Sequence, residues 1–331
     1  MRATERCATA RTFAASSNMP KPTTTDVGSV ASATARNVVG RTREVELVVA
    51  ALAARRHVVL EGPPGTGKST LLRAVAETFG VSFVFVEGNA ELTPSRLIGT
   101  FDPSRVLDDG YSAEAFVDGP LVRAMRDDSL LYVEEINRIP EETLNVLVTV
   151  MSEGEITVPR YGTVTAGDGF RLVAAMNPFD AVGTARISSA IYDRVCRVAM
   201  TYQSSEDECE IVHSATKGQG VEVEKSWIES VVAVTRATRS HVDLRVGSSV
   251  RGAIDTILVG EQLSAMRGGS ATPLACGRDA ALVALSGRVR VREGVVRSAE
   301  AIIEELWDAE FAPARGTPSG KASAPMGAPT N

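Results

Sequence analysis

The sequence predicts an α/β domain, with a parallel five-stranded sheet sandwiched between helices, followed by a smaller all-α domain. Three observations carry this. Short apolar runs alternate with helical patterns from about Asn37 to Tyr202, and strands separated by helices pair in parallel with helices on both faces. A glycine-rich loop, EGPPGTGKS, joins one of these runs to one of these helices. Beyond Tyr202 only helical patterns remain.

The elements follow in order. Residues 1–36 are rich in Ala, Thr, Ser and Arg and poor in acid. They are expected to be a disordered extension. An organellar transit peptide, or a start placed too early with Met19 as the true one, are the alternatives. The core domain is expected over 37–202. In GRTREVELVVAALAARR, Val45, Val48, Val49 and Leu52 recur at helical spacing. HVVLEG is the first strand, and TLLRAVAETFG is a helix that stops at Gly80. VSFVFVEG, SLLYVEE, FRLVAAMN and RVCRVAM supply four more strands. PEETLNVLVTVMSEG is a helix with Pro140 at its first position, Glu141 and Glu142 at its positive end, and Gly154 closing it. EITVPRYGTVTAGDGF reads as a β-hairpin bending near Tyr161-Gly162. Five amphipathic segments then predict an all-helical domain over 203–310, and the Pro/Gly/Ala/Ser tail 311–331 is expected to be disordered.

The glycine-rich loop carries the strongest chemistry. Gly62, Pro63, Pro64, Gly65, Thr66, Gly67, Lys68 and Ser69 fit the phosphate-loop pattern G-x-x-x-x-G-K-[ST] between a strand and a helix. Glycines let successive backbone N–H groups curl into a nest for anionic oxygens. The helix mouth, through Thr70, adds unpaired N–H groups and its dipole. Lys68 supplies a movable charge for the outer phosphates, and the Ser69 hydroxyl is a candidate Mg²⁺ ligand. Leu130 to Val133 then run into Glu134-Glu135. Ligands of such sheets bind beyond the carboxyl ends of the strands. Glu134 is therefore a candidate for the metal side, through a water, and Glu135 for polarising the attacking water. The plain alternative is two acids that end a strand.

Composition narrows the classes. The chain has 331 residues, 44% of them hydrophobic, and a formal charge of −6, which argues against a dedicated nucleic-acid partner. Cys7, Cys196, Cys209 and Cys276 have neither metal-knuckle nor dithiol spacing, so they read as free, mostly buried thiols of a reducing, cytoplasmic compartment. His57, His213 and His241 are isolated and read as packing or surface residues. No apolar run is long enough to span a membrane.

EGPPGTGKS, LIGTFDP, FVDGPL, EEINRIP, AAMNPFDAVGT and YDRV occur in that order from Glu61 to Val195. Together the series resembles the MoxR-type AAA+ ATPases of the helix-2-insert clade, and SSVRGAID extends the likeness into the helical lid. The resemblance implies an AAA+ αβα sandwich with an all-α lid. It implies ATP and Mg²⁺ as cofactors, hydrolysis of ATP, and a homo-oligomeric, hexameric ring. It assigns Val39 and Gly40 to the segment along the adenine, Asn177 to sensor 1, Arg194 to the arginine finger reaching a neighbouring subunit, and Arg251 to sensor 2. From the residues alone, Asn177 before Pro178 is also a turn former, Arg186 and Arg197 compete with Arg194, and Arg245 competes with Arg251.

The chain departs from the family in two places. Glu134-Glu135 stands where Asp-Glu is usual, which moves the metal-side carboxylate by about 1.5 Å, one C–C bond. Asp193-Arg194-Val195 replaces Asp-Arg-Phe. Residues 97–121 resemble the clade's helix-2 insert, and residues 155–165 its pre-sensor-1 insertion; two ordinary surface loops are the alternative. Relatives of this type act as chaperone-like activators of metalloenzymes or protein complexes, often with a von Willebrand factor A domain protein as partner. An ATP-gated scaffold with little hydrolysis and a DNA-associated AAA+ factor are the competing functions.

Overall fold

A computed structural model describes residues 24–178, 188–268 and 273–312. The chain opens with helices α1 (Thr24–Ala35) and α2 (Thr42–Ala53), then β1 (His57–Glu61), α3 (Lys68–Phe79) and β2 (Phe83–Glu87). The segment α4 (Pro94–Ile98), β3 (Gly99–Phe101), α5 (Pro103–Asp109), β4 (Phe116–Asp118) and α6 (Pro120–Arg126) leads to β5 (Leu130–Glu134). Next come α7 (Glu141–Glu153), β6 (Glu155–Val158), β7 (Gly162–Thr165), β8 (Arg171–Met176), α8 (Ser189–Tyr192) and β9 (Val195–Ala199).

Strands β2, β5, β8, β1 and β9 form one sheet in that order, and every pairing is parallel. The five predicted strands are these five. Alternation along each strand divides the core into two layers. Val58 and Leu60 pack with Leu71, Leu72 and Val75 of α3 and with Val45, Val48 and Val49 of α2. Val59, Leu131 and Val133 face the opposite layer, with Met125, Leu144 and Leu147. Gly80 and Gly154 end α3 and α7 as predicted, both in the left-handed conformation.

Two units divide between Ile211 and Val212, inside α9 (Ser205–Lys217). The second contains α10 (Lys225–Ser240), β10 (Leu244–Val246), α11 (Val250–Met266), α12 (Pro273–Leu285), β11 (Arg290–Val291) and α13 (Ala299–Phe311). Its core includes Ile228, Val231, Val232, Ala253, Ile257, Ile302 and Trp307. The rings of Trp227, Trp307 and Phe311 pack against one another in edge and tilted contacts.

Several expectations are corrected. Residues 24–35 are not part of a disordered extension; α1 packs Val27, Val30 and Ala31 against the α2–α3 layer, so sparse but correctly spaced apolar residues suffice once a core is present to receive them. Residues 1–23 lie outside the described residues. The second unit is helical as expected, with one addition: β10 and β11 form a short antiparallel pair, too short to show a period in sequence. Pro140 precedes α7 as its cap, with extended ψ, and is not the first helical residue. Phe311 belongs to α13, anchored by its ring contacts, and the tail expected from there on lies outside the described residues past 312. Cys196 is exposed, Cys209 half-buried and Cys276 buried, so the thiols are not mostly buried; Cys7 lies outside the described residues. No helix among the described residues is long and apolar enough to cross a membrane.

Candidate functional site

The loop between β1 and α3 starts under tight constraint. Gly62 N–H donates to the Met176 carbonyl at 3.2 Å, and Met200 N–H donates to the Glu61 carbonyl at 2.7 Å, so the loop leaves the sheet clamped between β8 and β9. A Cβ on Gly62 would lie 2.2 Å from the Met200 carbonyl oxygen, which excludes every other residue type without backbone movement. Gly65 and Gly67 have φ of 73° and 82°, the left-handed region that curls the loop back over the helix mouth. Thr66 Oγ1 donates to the Pro63 carbonyl at 2.9 Å and closes the turn from inside. Pro64 and Thr70 stand exposed at its rim.

Lys68 begins α3 and folds back, its Nζ donating to the Gly62 and Pro63 carbonyls at 2.8 Å each. Its ammonium is therefore held within the loop by acceptors that a phosphate oxygen can replace. Ser69 Oγ donates to Glu134 Oε1 at 2.7 Å and lies 3.0 Å from the hydroxyl of Tyr132. The end of β5 and the first turn of α3 thus meet through hard oxygen donors, the ligand type Mg²⁺ selects. The contact between Ser69 and Glu134 is direct, and the longer Glu side chain reaches it. Burial pushes the Tyr132 phenol well above its ordinary range, and the Glu134 carboxylate beside it adds to this, so the group stays protonated.

The remaining predicted residues fall in two groups. Glu135 follows β5 with φ 53° and ψ 42°, a left-handed conformation rare for a side chain of this kind, and its carboxylate pairs with Arg138 Nε at 3.1 Å. Asn177 follows the end of β8, the strand between β5 and β1; its carbonyl accepts from Asn137 Nδ2 at 3.3 Å. Val39 is half-buried and Gly40 exposed with φ 66°, beside the Asp207 carboxylate. Arg194, between α8 and β9, is tied within its own chain to Ser152 Oγ and to the Ala190 carbonyl. Its competitor Arg197, on the edge strand β9, pairs with Glu61; Arg186 lies outside the described residues. Arg251 is exposed in the first turn of α11 and Arg245 is exposed on β10, both in the second unit.

Three contributors escaped sequence reasoning. Arg41, 2% exposed, donates to the Thr66 carbonyl at 2.8 Å and to the Thr201 carbonyl at 2.6 Å, and pairs with Glu44 at 3.0 Å. It ties the apex of the loop to the segment after β9. Tyr132 and Arg138 are the others. Arg41 directly follows the proposed adenine segment, but its loop partner is 25 residues away and leaves no local pattern.

The two insertions of the core touch each other. The β3–α5–β4 excursion packs Phe101 edge-to-face with Phe116 and Tyr111 at 5.2 and 5.0 Å. Phe116 in turn meets Tyr161 at the tip of the β6–β7 hairpin at 4.7 Å, and Arg160 of that tip lies 4.1 Å over the Tyr111 ring. His57, at the far end of β1, accepts a hydrogen bond from Leu172 N–H at 2.9 Å. Burial lowers its pKa to about 4, helped by the nearby Arg171 charge, so it is a neutral packing residue as expected.

Residues 57–195 match the family model described as the AAA domain (dynein-related subfamily). The chain is 28% identical over 243 residues to the uncharacterized protein YeaC of Bacillus subtilis, spanning 66% of this chain and 72% of that one. It is 26% identical over 202 residues to an uncharacterized protein of Staphylococcus epidermidis, SERP0979, spanning 60% and 76%. A solved structure of a mutant RuvB from Thermotoga maritima aligns with TM-score 0.48 at 16% identity, over 82% of this chain and 70% of that one.

Proposed function

We propose that this chain is a Mg²⁺-dependent ATPase of the MoxR type that assembles into a ring and remodels or activates a partner protein. The observation that carries the reading is the convergence of Lys68, Ser69 and Glu134 at the mouth of a strand–loop–helix unit inside a segment matching AAA domains. The backbone amides of the loop bind the phosphates, and Lys68 exchanges its two carbonyl partners for phosphate oxygens. Ser69 and Glu134 hold Mg²⁺, which when bound neutralises charge on the outer phosphates. Glu135 leaves Arg138 to orient the attacking water, with Asn177 beside it. Arg194 exchanges its internal partners for the site of a neighbouring subunit; such arginines are worth roughly 10³ to 10⁵ in rate in other systems. Arg251 serves the lid, and the insertion pair is the surface that works on the client, with a von Willebrand factor A domain protein as the partner to test first. The chain works in the cytoplasm.

The pairing of Glu135 with Arg138 favours a second reading, an ATP-gated scaffold that cleaves slowly. Turnover and ATP binding measured on the wild type and on Glu135→Gln separate the two. The motor reading expects turnover to fall roughly 10²- to 10⁴-fold with ATP still bound. Equal and negligible turnover in both proteins leaves the scaffold. Absence of ATP binding with Mg²⁺ overturns both.

A further inference from the structure

The hydroxyls at the end of β5 form a directed chain. A serine hydroxyl has one hydrogen to give and two lone pairs to offer. Glu134 as a carboxylate can only accept, so the 2.7 Å contact takes the Ser69 hydrogen. With that hydrogen committed, the 3.0 Å contact between Ser69 Oγ and the Tyr132 hydroxyl is made by the phenol hydrogen, which also has the Glu134 carboxylate beside it. The order is Tyr132 O–H to Ser69 Oγ–H to Glu134 Oε1, which leaves a single Ser69 lone pair uncommitted.

The fold brings these three groups together. Tyr132 and Glu134 are two residues apart on β5, hence on the same sheet face, the one covered by α3. The Tyr132 ring is 2% exposed, packed with Leu71 and Leu72 in that layer and 5.5 Å from Phe85. Its hydroxyl emerges where α3 begins. Glu134, one methylene longer than the Asp usual in proteins it resembles, brings its carboxylate directly onto Ser69.

We propose that Tyr132 is a positioning residue for the cation: it occupies one lone pair of Ser69 so that the remaining one faces Mg²⁺. The proposal rests on the ATPase reading above. Tyr132→Phe removes one oxygen and keeps the buried ring, so the fold is retained, which a melting curve verifies. Binding of a non-hydrolysable ATP analogue to the full-length protein is measured by calorimetry, in EDTA and across a Mg²⁺ titration. The expected result is a Mg²⁺ half-saturation raised roughly 2- to 10-fold, the range of one hydrogen bond, with binding in EDTA unchanged. An unchanged Mg²⁺ half-saturation, or an equal loss with and without Mg²⁺, overturns it. Wild-type protein that binds no analogue defeats the ATPase reading and this inference together, whereas a Mg²⁺-dependent wild type with an indifferent Tyr132→Phe defeats this inference alone.

Discussion

The phosphate loop and the pair of insertions are both excursions from the same sheet, yet different forces hold them. The loop is held by backbone groups: Gly62 against Met200, Thr66 against Pro63, and the buried Arg41 across two carbonyls. The insertions are held by side-chain faces, Phe101, Tyr111, Phe116 and Tyr161, with Arg126 and Arg160 against the rings. Tyr111 is 53% exposed and Leu107 on α5 is 87% exposed, whereas Arg41 is 2% exposed. Hydrogen bonds to carbonyls impose direction and distance, and suit a pocket whose donors are proposed to meet phosphate oxygens. Ring contacts tolerate sliding, and suit the surface proposed to work on a partner.

Arg41→Ala and Tyr111→Ala test this contrast from its two sides, and His57→Gln, between them in size, reads the sheet that both excursions leave. Arg41→Ala leaves the buried Thr66 carbonyl and the Thr201 carbonyl without their donor and Glu44 without its cation. Unfolding in urea should show a loss of about 3 to 5 kcal/mol, the range for breaking a buried ion pair, and nucleotide affinity should fall with it. A loss under about 1 kcal/mol would mean that the loop holds its own shape.

His57 probes the opposite end of β1. Its folded pKa, about 4, lies below the ordinary value of 6.5, so the unfolded chain takes up the proton first. Above pH 6.5 both states are neutral there and nothing changes. As pH falls from 6.5 toward 4 the folded state loses up to about 3 kcal/mol through this group. Urea midpoints at pH 7 and pH 5 should differ less in His57→Gln than in the wild type; equal differences would remove His57 as the cause.

Tyr111→Ala removes an edge contact to Phe101 and the ring under Arg160. About 1 kcal/mol is expected, read as a small drop in melting temperature. A loss above about 3 kcal/mol would make the insertion part of the core and erase the contrast.

What could be read in advance follows the range over which each signal acts. The five strands, α2, α3 and α7 were legible because period 2 and period 3.6 are written within a few residues. The loop was legible because its glycines, lysine and serine are contiguous. That Ser69 and Glu134 belong together followed from the rule that ligands sit beyond the strand ends. By contrast β10 and β11, three and two residues long, are too short for any period, and α1 has too few apolar residues to stand out.

Local pattern was therefore enough to specify the strands and the loop, which depend on neighbours in sequence, and the rule on strand ends added the candidate chemistry at the loop mouth. Folding added what couples distant positions: Arg41 to Thr201 across 160 residues, Tyr132 to Ser69 across 63, and Phe116 to Tyr161 between two separate insertions. Such contacts arise from which faces meet once the layers close. A buried arginine or tyrosine looks the same in sequence whether its polar end finds a carbonyl, a serine or water.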